Sequence, residues 1–113
     1  MSVKAALWCE AYLRRCNAAG LFAVLVRRGA EEAGSIFVKV NRLDGRVMLY
    51  GAPPGPSYDE TGERRWLALM GSDPMPERDV EEYLARIRKI DPDIWILEVE
   101  DRNGDGLLRV TSA

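Results

Sequence analysis

The sequence predicts an α+β fold: an antiparallel β-meander sheet packed with two amphipathic helices, in the order α-β-β-β-β-α-β-β. Three observations predict it. Two segments carry apolar residues at the i, i+3, i+4, i+7 spacing of a helix face. Several segments of strand length either alternate strictly or are apolar throughout. The strand-like segments follow one another through short Gly, Asp and Pro turns, the connections that antiparallel neighbours use. The chain has 113 residues, 47% hydrophobic and 30% charged. That is the balance of one soluble globular domain, spanning 1–113, with no internal repeat or linker.

The first helix runs from Ser2, read as its N-cap, to a stop at Gly20. Ala5, Trp8, Cys9, Tyr12, Cys16 and Ala19 form its apolar stripe and Leu13 widens it. Leu21 to Val26 is apolar at every position and too short for a helix, so it reads as a strand buried on both faces. Gly29 to Gly34 is a turn. Ser35 to Arg42 alternates, and Asp44-Gly45 is a type I′ hairpin signal. A two-residue loop there sets Val40 opposite Leu49 and Lys39 opposite Tyr50. Ile36, Val38, Val40, Val47 and Leu49 then share one face, and Phe37, Met48 and Tyr50 share the other. Gly51 to Gly62, with Pro53, Pro54 and Pro56, is a loop. Arg64 to Met70 reads as a strand. Asp73-Pro74 and Pro76 open the second helix, with Val80, Tyr83, Leu84, Ile87 and Ile90 as its stripe and Asp91-Pro92 as its end. Ile94 to Glu100 is a strand, Asn103 to Gly106 a turn, and Leu107 to Thr111 a short last strand.

Several of these segments together resemble one family. They are the helix ending in Arg14-Arg15, the turn Arg27-Arg28-Gly29-Ala30-Glu31-Glu32-Ala33-Gly34, and the hairpin end Leu49-Tyr50-Gly51. To these are added Asp91-Pro92-Asp93-Ile94-Trp95 and Glu98-Val99-Glu100-Asp101. The resemblance is to the bacterial domain of unknown function 1491, and it runs over nearly the whole chain. It implies a small, stand-alone bacterial protein with no assigned activity and brings no catalytic residues with it.

Composition narrows the chemistry. There is no histidine, which removes the commonest general base and zinc ligand. The uncharged run Cys16 to Val26 is eleven residues, short of the about 18 that a membrane-spanning helix requires. Lys4 and Glu10 bracket only five apolar residues, so no secretory signal is expected. Cys9 and Cys16, seven positions apart on one helix, stand roughly 10 Å apart, too far for a disulfide. Thiols on a core face fit a reducing compartment, so a cytoplasmic location is expected. No nucleotide loop, C-x-x-C pair or nucleophile–histidine pair is present, and no cofactor is expected.

The remaining candidates each have a plainer reading. Net charge is −2, but residues 1–56 carry eight Lys/Arg against four Asp/Glu, and 57–113 eight against fourteen. Arg14, Arg15, Arg27, Arg28, Arg42 and Arg46 could bind nucleic acid or a ribosome, unless folding interleaves the halves. Asp101-x-Asn103-x-Asp105-Gly106 matches the start of an EF-hand loop. Position 12, however, is Ser112 rather than the closing Glu, and the segment reads as a turn. Glu98 and Glu100, about 7 Å apart on a strand face, could serve a metal-dependent enzyme or be a solvated strand end. Asp59, Glu60 and Glu63 read as an exposed loop or an acidic lid. The run Gly51-Ala52-Pro53-Pro54-Gly55-Pro56 reads as a stiffened connection or a polyproline II face.

Phe37, Met48 and Tyr50 form an apolar face with Lys39 and Asn41 on its rim, the composition of a small interface. Either a helix covers that face or a second copy of the chain does. The function expected is a non-enzymatic interaction module, with a homodimer or another protein as partner, and without a membrane or an identifiable small-molecule substrate.

Overall fold

The computed structural model describes residues 4–111. Helix α1 (Ala5–Ala18) buries Ala5, Cys9, Tyr12 and Cys16, one residue per turn along the expected stripe. The expected cap, Ser2, lies outside the described residues. The first turn is instead satisfied by backbone: the Ala5 and Ala6 N–H groups donate to the Glu32 and Glu31 carbonyls at 3.0 and 2.9 Å. Helix α2 (Glu77–Ile90) has Glu77 and Asp79 in its first turn and Arg88 and Lys89 in its last, the charge order that the helix dipole favours. Val80 and Leu84 are its buried residues, whereas Ile90 is 82% exposed and does not belong to the stripe.

The strands are β1 (Ala23–Arg27), β2 (Ile36–Asn41), β3 (Arg46–Gly51), β4 (Arg65–Ala68), β5 (Met75–Pro76), β6 (Trp95–Glu100) and β7 (Arg109–Val110). The short β5, just before α2, has no counterpart in the expected order. The antiparallel meander is also corrected. The sheet is mixed, in the order β1-β6-β2-β3-β4-β7, with β5 paired to β3. The β6 strand enters between β1 and β2, antiparallel to the first and parallel to the second, and β7 runs parallel to β4. Short connections imply pairing only when nothing later fills the gap, and the 28–35 connection leaves room for a strand. Two glycines make that insertion fit. A Cβ on Gly29 or Gly34 would lie 2.2 or 2.4 Å from the Asp93 carbonyl oxygen. The Trp95 indole N–H donates to the Ala30 carbonyl at 2.7 Å, and the Ala30 N–H donates to the Asp93 carbonyl at 2.9 Å. The glycine-flanked turn and the Asp-Pro-Asp-x-Trp segment, two of the segments that carry the resemblance, are thus one packed unit, and the same turn caps α1.

The hairpin register is corrected by one residue. Val40 pairs with Met48 and Val38 with Tyr50, and the Arg42 N–H donates to the Arg46 carbonyl. The loop therefore has three residues, Leu43-Asp44-Gly45, with Leu43 at φ 64° and Gly45 at φ 84°. Because side chains alternate, a shift of one exchanges the faces of one strand against the other. Ile36, Val38, Val40, Met48 and Tyr50 pack with α1, Trp66, Trp95, Leu97 and Val99. Val47, Leu49, Ile94 and Ile96 pack with α2, joined by the half-buried Phe37. Each helix thus covers one face of the central strands, in three layers.

Candidate functional site

At one end of the sheet β1 is largely exposed. Sequence reading placed Leu21 to Val26 inside, because the run is apolar on both faces. In the structure β1 is an edge strand, and Phe22, Val24, Leu25 and Val26 are 61%, 36%, 39% and 56% exposed. Of the strand's five residues only Ala23 is buried. The apolar pattern expected of a central strand is instead fully used by β6, which is buried on both faces between β1 and β2. The Glu100 N–H donates to the Phe22 carbonyl. By antiparallel alternation the Phe22 and Val24 backbone groups then face β6, and those of Ala23 and Leu25 face away from the sheet. The register shifts between Leu25 and Arg27, so Val26 bulges, and the regular edge is the stretch 22–25.

Beside this edge lies a charged cluster that sequence reading missed. Lys39, expected on the rim of an exposed face, is buried under α2. Its ammonium donates to the carboxylates of Glu77 and of Glu81 (2.6 Å) and lies 3.4 Å from Glu98. Burial pulls the ammonium pKa down. The Glu77 and Glu81 hydrogen bonds and the Glu98 charge outweigh that and leave it pushed up to about 12. Lys39 thus stays charged and ties the start of α2 to strands β2 and β6. A signal was present: a lysine between two valines in mid-strand, with glutamates four apart opening a helix. A cavity of about 250 Å³ separates this cluster from the end of β1, with Val26, Arg27, Arg88 and Glu98 among its lining.

The other expected residues take structural places. Met48 and Tyr50 are buried under α1, and the Tyr50 hydroxyl donates to the Gly104 carbonyl at 2.7 Å. Phe37 is half-buried on the opposite side, against the α2 cluster. The shared face expected for these three is therefore corrected by the register. Glu98 belongs to the Lys39 cluster, and Glu100 is half-buried at the end of β6. The Asp101 carboxylate accepts the N–H groups of Asn103 and Gly106, each at 3.0 Å, and Asp105 accepts that of Leu107 at 3.1 Å. These bonds build the 101–107 turn, and Ser112 lies outside the described residues. Asp59 organises its own loop, accepting from the Thr61 hydroxyl and the Thr61 and Glu63 N–H groups. The Thr61 hydroxyl holds its carboxyl below the usual value. Pro53 is turned into the core, which leaves Pro54 and Pro56 exposed.

Of the six arginines, Arg14 pairs with Glu10, Arg46 donates to the Pro74 carbonyl, and the other four divide between the two ends of β6. Arg15 donates to the Leu107 carbonyl and Arg42 packs on Gly104, both beyond the end of β6. Arg27 donates to the Ile94 carbonyl and Arg28 lies over the Trp95 ring, both at its start. Cys9 and Cys16 are free and buried. Among the described residues no cluster of acidic or thiol groups could hold a metal, and no helix is long and apolar enough to cross a membrane.

A family model described as protein of unknown function (DUF1491) matches residues 3–109. A crystal structure of a DUF1491 family protein from Caulobacter crescentus CB15 is 33% identical, with 97% of this chain and 100% of that one covered and a TM-score of 0.78. A solution structure of a protein from A. tumefaciens is also 33% identical, with coverage of 100% and 98% and a TM-score of 0.82. An NMR structure of a DUF1491 family protein from the Caulobacter strain gives 34% identity, 99% coverage of each chain and a TM-score of 0.75. No curated protein matches in sequence.

Proposed function

Since the chain belongs to the DUF1491 family of proteins of unknown function, we propose its function from its own surface: a non-enzymatic, cytoplasmic interaction module in which two copies pair through β1. The observation that carries this reading is the free edge of β1, with Phe22, Val24, Leu25 and Val26 exposed along it. An unpaired apolar edge is a template for another strand, and folded proteins usually cover or charge it. A second copy fits by symmetry. Pairing about a two-fold axis at Val24 sets Ala23 opposite Leu25 of the partner, so the backbone groups that face away from β6 meet each other. It also sets Phe22 opposite Val26 and Leu21 opposite Arg27 of the partner, so apolar groups meet apolar groups and the two arginine pairs lie at opposite ends. The charged groups near the edge support a structural rather than catalytic role, since Lys39, Glu77, Glu81 and Glu98 are engaged with one another. Buried thiols at Cys9 and Cys16 suit a reducing compartment.

Sedimentation velocity of the wild type and of Leu25→Lys tests this. The wild type is expected to shift from monomer to dimer with rising concentration, and Leu25→Lys to remain monomeric with unchanged circular dichroism. A wild type that stays monomeric throughout overturns the reading.

A further inference from the structure

A second feature lies on the far side of α1, away from the β1 edge. Between the start of α1, the 32–36 segment and the 52–66 region is a cleft of about 610 Å³, within the size range of small-molecule sites. Its floor is apolar: Ala5, Ile36 and Trp66 line it and are buried. Its charge is one-sided. Among the described residues, Lys4, Arg64 and Arg65 line it with one acid, Glu32, whose carboxylate is 3.3 Å from Lys4. Arg64 and Arg65 together form one wall of the cleft.

The wall is held in place before any ligand arrives. The Arg64 guanidinium lies over the Trp8 ring at 5.6 Å and over the Tyr58 ring at 5.3 Å, and it donates to the Tyr58 hydroxyl at 3.1 Å. Trp8 is itself fixed, stacked on Tyr12 at 4.9 Å and tilted against Trp66 at 5.1 Å. Arg65 donates to the Pro56 carbonyl at 2.7 Å. Guanidinium groups fixed this way recognise carboxylate and phosphate oxygens at low ordering cost, and a cleft focuses their field. The hydroxyl residues Ser35 and Ser57 line the same walls.

We propose that this cleft binds a small organic anion, with its carboxylate or phosphate head against Arg64 and Arg65 and its apolar body on the Ala5–Ile36–Trp66 floor. The inference stands apart from the pairing of β1 and is tested on the full chain by amide chemical shifts. Phenyl phosphate and benzoate are the two probes, and phenol and inorganic phosphate are the controls that carry only one half of the ligand. At least one probe is expected to give saturable shifts confined to residues 32–36 and 57–66, with each control at least about ten-fold weaker. Arg64→Met and Ser35→Glu are each expected to weaken binding about ten-fold or more. The second is at an exposed position, so it reports on charge in the cleft even if Arg64→Met disturbs the Trp8 stack. The proposal is overturned if neither probe saturates, if phenol or inorganic phosphate binds as tightly as the probes, or if folded Ser35→Glu binds them unchanged.

Discussion

Cys9 and Cys16 show how a residue's burial fixes its chemistry. Both thiols are pushed up by burial. For Cys9 the value reaches about 12, because the positive charges of Arg64 and Arg28 offset only part of the desolvation. Thiolate is the reactive form, so labelling by an aromatic disulfide reagent without denaturant is expected to be on the order of a hundredfold slower than in urea. Equal rates in the two conditions would contradict this placement. Tyr50 has a different constraint: its ring is in the α1 core and its hydroxyl is committed to Gly104. Tyr50→Asp buries a carboxylate in that core and forfeits the bond to Gly104. A loss of about 4 kcal/mol or more is expected, with a sharply lowered melting temperature and unchanged sedimentation. A mutant as stable as the wild type would show that Tyr50 lies outside the core. For Lys39 the sign follows from its raised value. Folding holds the proton more tightly than the unfolded chain, whose lysine titrates near 10.5. The stabilisation is therefore whole below about pH 10.5 and is lost as pH rises through about 12. Urea unfolding should show Lys39→Met less stable than wild type by about 1–3 kcal/mol at pH 7, with the gap narrowing above pH 11. A gap that stays constant or widens there would contradict the assignment.

Among the elements, the β2–β3 hairpin shows what the sequence could and could not specify. The position of the turn was legible, because Asp44-Gly45 interrupts two alternating runs. Its length was not. Asp-Gly suits a two-residue turn, but the Asn41 and Asp44 side chains accept the N–H groups of Leu43 and Arg46 and stabilise a three-residue one. That single residue moved Met48 and Tyr50 under α1 and Val47 and Leu49 under α2. Both faces of β3 are apolar, so hydrophobic pattern alone could not choose between the registers. The helices were legible because period and termini agree. The place of β6 was not, since continuous apolar residues mark a central strand without naming its neighbours. The same ambiguity put β1 inside. The Lys39 cluster and the Arg64 cleft were equally hidden, because their members meet only through that topology. The turn also gives an element-scale expectation. Leu43 is exposed with φ 64°, a conformation costly for a Cβ-bearing residue. Leu43→Gly should raise stability by about 0.5–1 kcal/mol in denaturant unfolding. A loss of stability would mean that the Leu43 side chain makes contacts worth more than the strain.

At the scale of the molecule, the two helices complete the two faces of the central strands, and in the proposed pairing a second copy covers the β1 edge. Polar side-chain groups join the parts of the fold: Lys39 joins α2 to the sheet, Asp101 builds the turn beyond β6, and Trp95 locks the turn that caps α1. Phe22, Val24, Leu25 and Val26 stay exposed along the β1 edge. If a second copy pairs there, the outward-facing Leu25 amide becomes hydrogen-bonded, whereas the Val24 amide faces β6 in either state. Hydrogen exchange at these two amides, followed across protein concentration, tests this most directly. Leu25 is expected to become progressively protected as concentration rises while Val24 stays protected throughout. Exchange at Leu25 that remains fast and independent of concentration would contradict pairing through β1.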